Sequence, residues 1–453
     1  MLHRLRPTSF VALLLPLPLL LAACGGGSNA SVSSGFSGSS NPLATVDQIA
    51  AEKLAITLVR APAVITAKAA LRAQWLAAAQ KVGGVSAESL TNLDEAVDEA
   101  VYSSALSLAA LASGNPQAIS ILAAPHTWFG TSVPGSRVAF DNPDTIYRRT
   151  ALDATATYTV SGQAGSPAPV DFNFSLYSTT NATLANIAPD QLATNADGNY
   201  SITLDAATSG TGNHIQLASG TGSLFVRDTV SEWGKQQFNS VQFKRTSGTA
   251  PTAKTHDELI TALATSIQTT SGGAAFTTYN ALGHAQANNT LPAPSLGGTG
   301  GRLANQAATY SAFDLTDDQA LVITVGLGGA KYFIAPAYGR WLITTDYINH
   351  TQTLNNAQSV ANPDGTYTYV VSPKDPGVYN WVDTVGLHQG FLNLRWQGLP
   401  ATTTNGGPSA SVQLVKLSDL KSVLPATTKF VSNAERQAQL DARAASYASR
   451  YAS

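Results

Sequence analysis

The stretch NADGNYSIT from Asn195 returns, altered but recognisable, as NPDGTYTYV from Asn362, and no other feature of the chain constrains its fold as much. Asp197 and Asp364 stand 167 residues apart, as do Asn213 and Asn380, while Gly222/Gly390 and Arg227/Arg395 stand 168 apart. YTVSG from Tyr158 is answered by ITVG from Ile323, which aligns Val160 with Val325 at an offset of 165. Conserved order at nearly constant spacing indicates a tandem duplication of one folding unit, over about 137–245 and 308–400. Within it, Thr155–Val160, Tyr200–Leu204 and Thr366–Val371 alternate polar and apolar residues between Gly, Asn, Asp and Pro, the pattern of antiparallel strands. Short strands with one apolar face must cover it with a second sheet, so each copy is expected to be a β-sandwich or jelly-roll-like unit.

Helices flank the duplication. SLTNLDEAVDEAVYSSALSLAALASG sets Leu90, Leu93, Val97, Val101 and Leu108 on one helical face and stops at Gly114-Asn115-Pro116. An earlier helix from Val46 to Val82 is expected to break near Pro62. Thr255-x-x-Glu258 opens a helical insert with a capping box, followed by a Gly/Pro/Asn-rich linker over 286–305. Ser432 caps a last helix whose Leu440, Ala444 and Tyr447 form one face. The expected fold is therefore mainly β with α. Its order is a helical region over 43–136, a first β-unit over 137–250, an insert and linker over 251–307, a second β-unit over 308–425 and a C-terminal helix over 426–453.

The first residues read as an address. Arg4 and Arg6 precede an apolar run from Phe10 to Leu21 that Pro16 and Pro18 interrupt, too short and broken to span a bilayer. Leu21-Ala22-Ala23-Cys24-Gly25 has the form of a lipobox, and Cys24 is the only cysteine in 453 residues. Residues 1–24 are thus expected to be a lipoprotein signal peptide, Cys24 the lipidated residue and 25–42 a Gly/Ser tether. Gly25 favours the outer membrane. With 12% charged residues, a net charge of −2 and scattered Lys and Arg, there is no basic face for nucleic acid.

Standard catalytic signatures are absent: there is no G-x-S-x-G, no H-E-x-x-H, and no phosphate-loop spacing in GLGGAK or SLGGTGGR. Seven scattered histidines offer no metal-ligand spacing, and clustered Asp and Asn oxygens leave only calcium open, without an EF-hand pattern. Two constellations remain. DNPDTIYRR, from Asp141, places Asp141, Asp144, Tyr147 and Arg148 together, either as a turn entering a strand or as the rim of a polar pocket. DPGVYNWVDT, from Asp375, is the second. Asn213/Asn380, Gly222/Gly390 and Arg227/Arg395 occur in both copies and are read as serving the fold. Asp375, Trp381 and Asp383 belong to one copy alone, His214 and Gln216 standing opposite the last two. YGRWLITTDYINH adds Arg340, Trp341, Asp346, Tyr347 and His350, a ring-binding surface or half-buried strand residues.

FDNPDTIYR (Phe140–Arg148), SLFVR (Ser223–Arg227) and DPGVYNWVDTVG (Asp375–Gly386) occur in the order found in the bacterial family known as domain of unknown function 1214, which the chain resembles over about 137–400. The resemblance implies paired sandwich domains and brings no reaction. The chain departs from the family at Leu387, where many relatives carry a basic residue or histidine; His388 stands one place later, so no histidine role is carried over. Two functions are expected: a lipid-anchored envelope module binding or organising a small polar or carbohydrate-like ligand, or a hydrolase or lyase using paired carboxylates. What separates them is whether the acids converge: a site should bring Asp141 or Asp144 to Asp375 or Asp383 across a cleft, within about 10 Å, with Tyr147 or Trp381 in its wall, whereas acids on opposite faces leave the binding or structural reading ahead.

Overall fold

The computed structural model describes residues 41–269, 273–298 and 302–451, so the expected signal peptide, Cys24 and nearly all of the expected tether lie outside the described residues. Thr45 caps α1 (Val46–Leu58) by accepting from the Gln48 amide. Pro62 opens α2 (Pro62–Lys81), where its missing N–H is no loss, and the two helices bend by 81° at the expected break. The next helix differs from expectation. α3 (Ala87–Leu90) and α4 (Leu93–Ala109) are separate, and Leu90 is 42% exposed rather than on the buried face. Ser86 caps α3, and its single turn ends before α4 begins, so Leu90 and Leu93 do not share one helical register.

Short strands β1 (Ser120–Ile121), β2 (His126–Trp128) and β3 (Thr131–Val133) lead into the first copy. That copy comprises β4 (Thr145–Ala151), β5 (Thr157–Gln163), β6 (Asp171–Ser178), β7 (Thr183–Ile187), β8 (Asn199–Asp205), β9 (Asn213–Gln216), β10 (Thr221–Thr229) and β11 (Gln242–Ser247). The insert forms α5 (His256–Thr269) and α6 (Gly273–Gly283), then β12 (Ser295–Leu296). The second copy is β13 (Ala307–Asp314), β14 (Gln319–Gly326), β15 (Tyr332–Tyr338), β16 (Thr353–Asn355), β17 (Tyr367–Ser372), β18 (Trp381–Asp383), β19 (Gln389–Gln397) and β20 (Ser409–Lys416), followed by α7 (Leu420–Val423) and α8 (Asn433–Ala448).

Sheet order shows the duplication strand for strand. β1-β4-β10-β6-β7 faces β11-β5-β8-β9 in the first copy, as β12-β13-β19-β15-β16 faces β20-β14-β17-β18 in the second. Both copies share an unusual parallel pair, β8 with β9 and β17 with β18, in otherwise antiparallel sheets. Asn213 fixes that pair by donating to the Ala193 and Ser201 carbonyls and accepting from the Ala193 amide. Asn380 repeats all three bonds with Val360 and Thr368. Gly222 and Gly390 are also equivalent: a Cβ would lie 2.8 Å from Ser178 backbone in one copy and 2.1 Å from the Tyr338 carbonyl in the other. One alignment shifts. Val160 pairs with Ile202 and Ile323 with Tyr369, so Val160 corresponds to Ile323 rather than Val325.

Each sandwich encloses its own apolar core, around Phe174, Ile202 and Leu224 in the first and Phe333, Tyr369 and Trp396 in the second. At roughly 1.5–3 kcal/mol per large side chain, such burial is what closes the sheets. A third core joins α1, α2, α4, α5 and α6 to the outer face of β13-β19-β15. There Trp75 stacks on Phe276 at 4.6 Å, and Phe276 on Trp341 at 5.6 Å.

Ser432 and Glu435 form a capping box at the start of α8. Its buried face, however, is Arg436, Arg443 and Tyr447, continued by Arg450, whereas Leu440 and Ala444 are only half-buried. The helix docks through guanidiniums because the surface it covers presents carbonyls and acids. The described chain closes on itself here, where Asn41 donates to the Arg450 carbonyl at 2.9 Å.

Candidate functional site

DPGVYNWVDT is the socket of α8. Asp375 accepts the Gly377 amide at 2.8 Å, as an Asx turn does, and then holds Arg436 Nε at 2.9 Å and Nη2 at 3.1 Å. Arg436 lies over the Trp381 ring at 5.1 Å and also donates to the Val378 carbonyl. This explains why these residues occur in one copy only: α8 docks on the second sandwich. At the matching position of the first, His214 bonds Asp205, whereas Trp381 Nε1 donates to the Ser372 carbonyl. Asp383 accepts the Val385 amide and orients His350, with Nδ1 to Oδ2 at 2.7 Å. The aspartate is buried, which raises its pKa, while the His350 side chain is 40% exposed. Among the described residues Nε2 of His350 has no hydrogen-bond partner, so the ring nitrogen opposite the Asp383 contact is left for an external group.

Asp141 and Asp144 do not line a rim. They are 2% and 0% exposed, buried away from solvent. Asp141 accepts from the amide and hydroxyl of Thr344. Asp144 accepts from Tyr332 at 2.9 Å, Asn355 at 2.7 Å and Tyr447 at 2.5 Å. Burial raises both pKa values despite these donors. The two acids share no hydrogen-bond partner with Asp375 or Asp383. FDNPD is instead a peg between the sandwiches. Phe140 sits among Tyr279, Tyr310, Tyr338 and Phe391, and the Asp141 carbonyl accepts from Tyr338. Ala139 and Phe140 both adopt positive φ, 52° and 65°, a strain held in place by that packing.

The remaining expected residues also serve packing. Arg148 turns inward to the buried Asp228 at 2.9 Å. Asp346 accepts from Asn349 in its own turn, and Tyr347 packs edge-on against Tyr447 at 5.1 Å. Arg340 donates to the Ala79 and Val82 carbonyls at the end of α2, and Trp341 Nε1 to Ser89. Among the described residues no group of three or more His, Cys, Asp or Glu is placed to hold a metal ion.

The chemistry that sequence reading passed over lies where the two copies meet. Thr229 donates to Gln397 at 3.0 Å. These residues are equivalent, 168 apart, so their bond marks a pseudo-twofold axis between the outer faces of the two five-stranded sheets. Side chains alternate along strands, so Arg227 and Arg395, two residues earlier, share that face. Arg227 bonds the Tyr177 hydroxyl at 2.9 Å, and Arg395 bonds that of Tyr338, at equivalent positions. Tyr147, on β4, lies 5.9 Å from the Arg227 guanidinium and within electrostatic reach of Arg395. Arg149 and Arg227 both lie over the Phe225 ring, at 5.5 and 4.0 Å. On the same face Asp171 is 1% exposed, and its Oδ1 has no partner. The result is a polar seam rich in arginine and tyrosine.

A second buried polar group has no room for a substrate. Glu52 accepts from Trp128 and Gln48, with His126 Nε2 at 3.8 Å and the Tyr102 hydroxyl unpartnered. The enclosed cavity they line, about 10 Å³, is that of a single water at most.

The fold and its seam define a class: a mainly β protein with helices, built from two duplicated sandwiches. No family model and no curated protein matches the chain. Among solved structures it is similar to an uncharacterised protein from Burkholderia cenocepacia, at 21% identity and a TM-score of 0.66, over 80% of this chain and 99% of that one. The VPA0106 protein from Vibrio parahaemolyticus aligns at 13% identity and a TM-score of 0.36, over 60% and 90% of the two chains. The first of these likenesses supports the fold alone.

Proposed function

We propose that this chain is a lipid-anchored component of the cell envelope, a binding module that takes a small polar ligand in the seam between its two sandwiches. The lipobox ending in Cys24 supports the anchoring and an outer-membrane location, and the motifs Phe140–Arg148 and Asp375–Gly386 support kinship with the domain-of-unknown-function family. The observation that carries the binding reading is the pair of equivalent arginine–tyrosine contacts, Arg227–Tyr177 and Arg395–Tyr338, turned toward one axis. Arg436 of α8 meets Asp375, whereas Arg395, buried at the seam, has no carboxylate within ion-pair distance among the described residues, and burying a guanidinium so is costly unless it has work at the interface. A thermal-shift screen of the full chain against neutral sugars, sugar acids and aromatic acids tests it, with ligand-dependent rises in Tm expected. A screen without a hit, or hits unchanged by Arg227→Lys, would refute it.

A second reading, an acid–base enzyme, is favoured by His350 and Asp383. Turnover of a polar ester or glycoside that His350→Gln abolishes, with an unchanged fold, would establish it.

A further inference from the structure

Resting on the seam-binding reading, we infer that the seated ligand carries an oxyanion, a carboxylate or phosphate, held by the guanidiniums of Arg149, Arg227 and Arg395. Arg149 donates to the Ser223 hydroxyl at 3.0 Å and to Asn181 Oδ1 at 2.8 Å, both neutral. Among the described residues no carboxylate lies within ion-pair distance of Arg149, Arg302 or Arg395. Arg395 is 6% exposed, donates to the Phe140 carbonyl and the Tyr338 hydroxyl, and has an Nε hydrogen without an acceptor. Asp141 is coupled electrostatically to Arg395, but both its oxygens are engaged by Thr344.

These cations act on one another. Although Arg149 is exposed as a residue, packing over Phe225 partly desolvates its guanidinium, and this, with the neighbouring Arg227, holds it below its ordinary pKa. The Tyr279 hydroxyl lies within electrostatic reach of Arg395, Arg227 and Arg302 together. Like charges gathered in a partly desolvated seam raise each other's energy, and an anion between them relieves it. Stacking on Phe225 orients both guanidinium planes, and with Arg149 Nε and Nη2 engaged by Ser223 and Asn181, its Nη1 is the group left to donate to a carboxylate or phosphate. Arg149 is exposed, and Phe225 and Tyr279 are half-buried, so the seam is entered from their side.

The test is calorimetric titration and thermal shift of the full chain at constant ionic strength with sodium phosphate, sodium glucuronate and glucose. Either oxyanion should bind and raise Tm, and whichever binds more tightly identifies the group. Arg149→Gln should weaken that binding about tenfold, as loss of one charge-assisted contact does. Arg72→Gln, at an exposed pair on α2, removes the same charge and should leave binding unchanged. Arg149 is exposed, so its variant folds even if changes at Arg395 do not. Absence of heat and of a Tm rise with both oxyanions would overturn the inference, as would equal weakening in the Arg72 variant. Binding of glucose in the same series would then leave the seam-binding reading standing without the anion.

Discussion

Asp171→Asn isolates one buried charge. Asp171 lies on β6, facing the seam; its Oδ2 accepts from Asn173 at 2.9 Å, and Oδ1 has no partner. Burial pushes its carboxyl from 3.8 up to about 7, against the lowering effects of Asn173 and of Lys331. At about 1.4 kcal/mol per pH unit, that rise sets the penalty on the ionised form at about 4 kcal/mol. The sign follows from proton binding. Below the unfolded value both states are protonated and the group costs nothing. Between 3.8 and about 7 the unfolded chain ionises while the folded one keeps its proton, so stability falls as pH rises. Above that range both are ionised and the loss is complete. Asparagine keeps the acceptor for Asn173 and cannot ionise. Urea unfolding of parent and variant should therefore give equal stabilities near the bottom of this range and a variant more stable by about 4 kcal/mol above its top. Taking the difference at each pH cancels the other titrating groups. A gap that does not change with pH, or a variant less stable in alkali, would refute the reasoning.

Other outcomes follow from single contacts. His388 bridges Glu88 and Asp317, both at 3.1 Å, and these acids raise its pKa against burial. Its contribution is present below about 6.5 and lost as pH rises through the raised value; because the ring is 42% exposed, His388→Gln should remove no more than about 1 kcal/mol, read as a Tm difference that vanishes in alkali. Arg436→Ala should cost roughly 2–4 kcal/mol and expose α8 to limited proteolysis, since Asp375 is 36% exposed and can rehydrate. Gly390→Ala should destabilise more than Gly222→Ala, by about 1–3 kcal/mol against less, because its Cβ meets the Tyr338 carbonyl at 2.1 Å; denaturant midpoints check the order.

The duplication was legible because turns and parallel crossings depend on particular residues. Asn213 and Asn380 make the same three bonds, so the chain could hardly lose either without losing a strand pair. The Val160 alignment slipped by two for the opposite reason: a two-residue shift leaves every side chain on its original face, and alternation cannot detect it. The buried face of α8 was misread because apolar periodicity marks apolar partners, whereas Arg436 and Arg443 reach carbonyls that no sequence pattern displays. At DPGVYNWVDT the distinction between copies was visible, but its cause, a helix some 60 residues further on, was not. The seam was missed through the same comparison. Residues shared by both copies were read as serving each copy, yet a twofold axis brings equivalent residues such as Thr229 and Gln397 to one place.

The bond from Asn41 to the Arg450 carbonyl makes the start and finish of the described chain neighbours. Topologically the described chain is nearly a closed ring, and where that ring is cut matters little to its packing. A short bridge between these residues, with new termini opened at the exposed turn around Thr404, Asn405 and Gly406 between β19 and β20, would preserve every strand pairing. Such a permuted chain would make α8 an internal element that precedes α1. The second sandwich would then complete its last strand from the opposite end of the polypeptide.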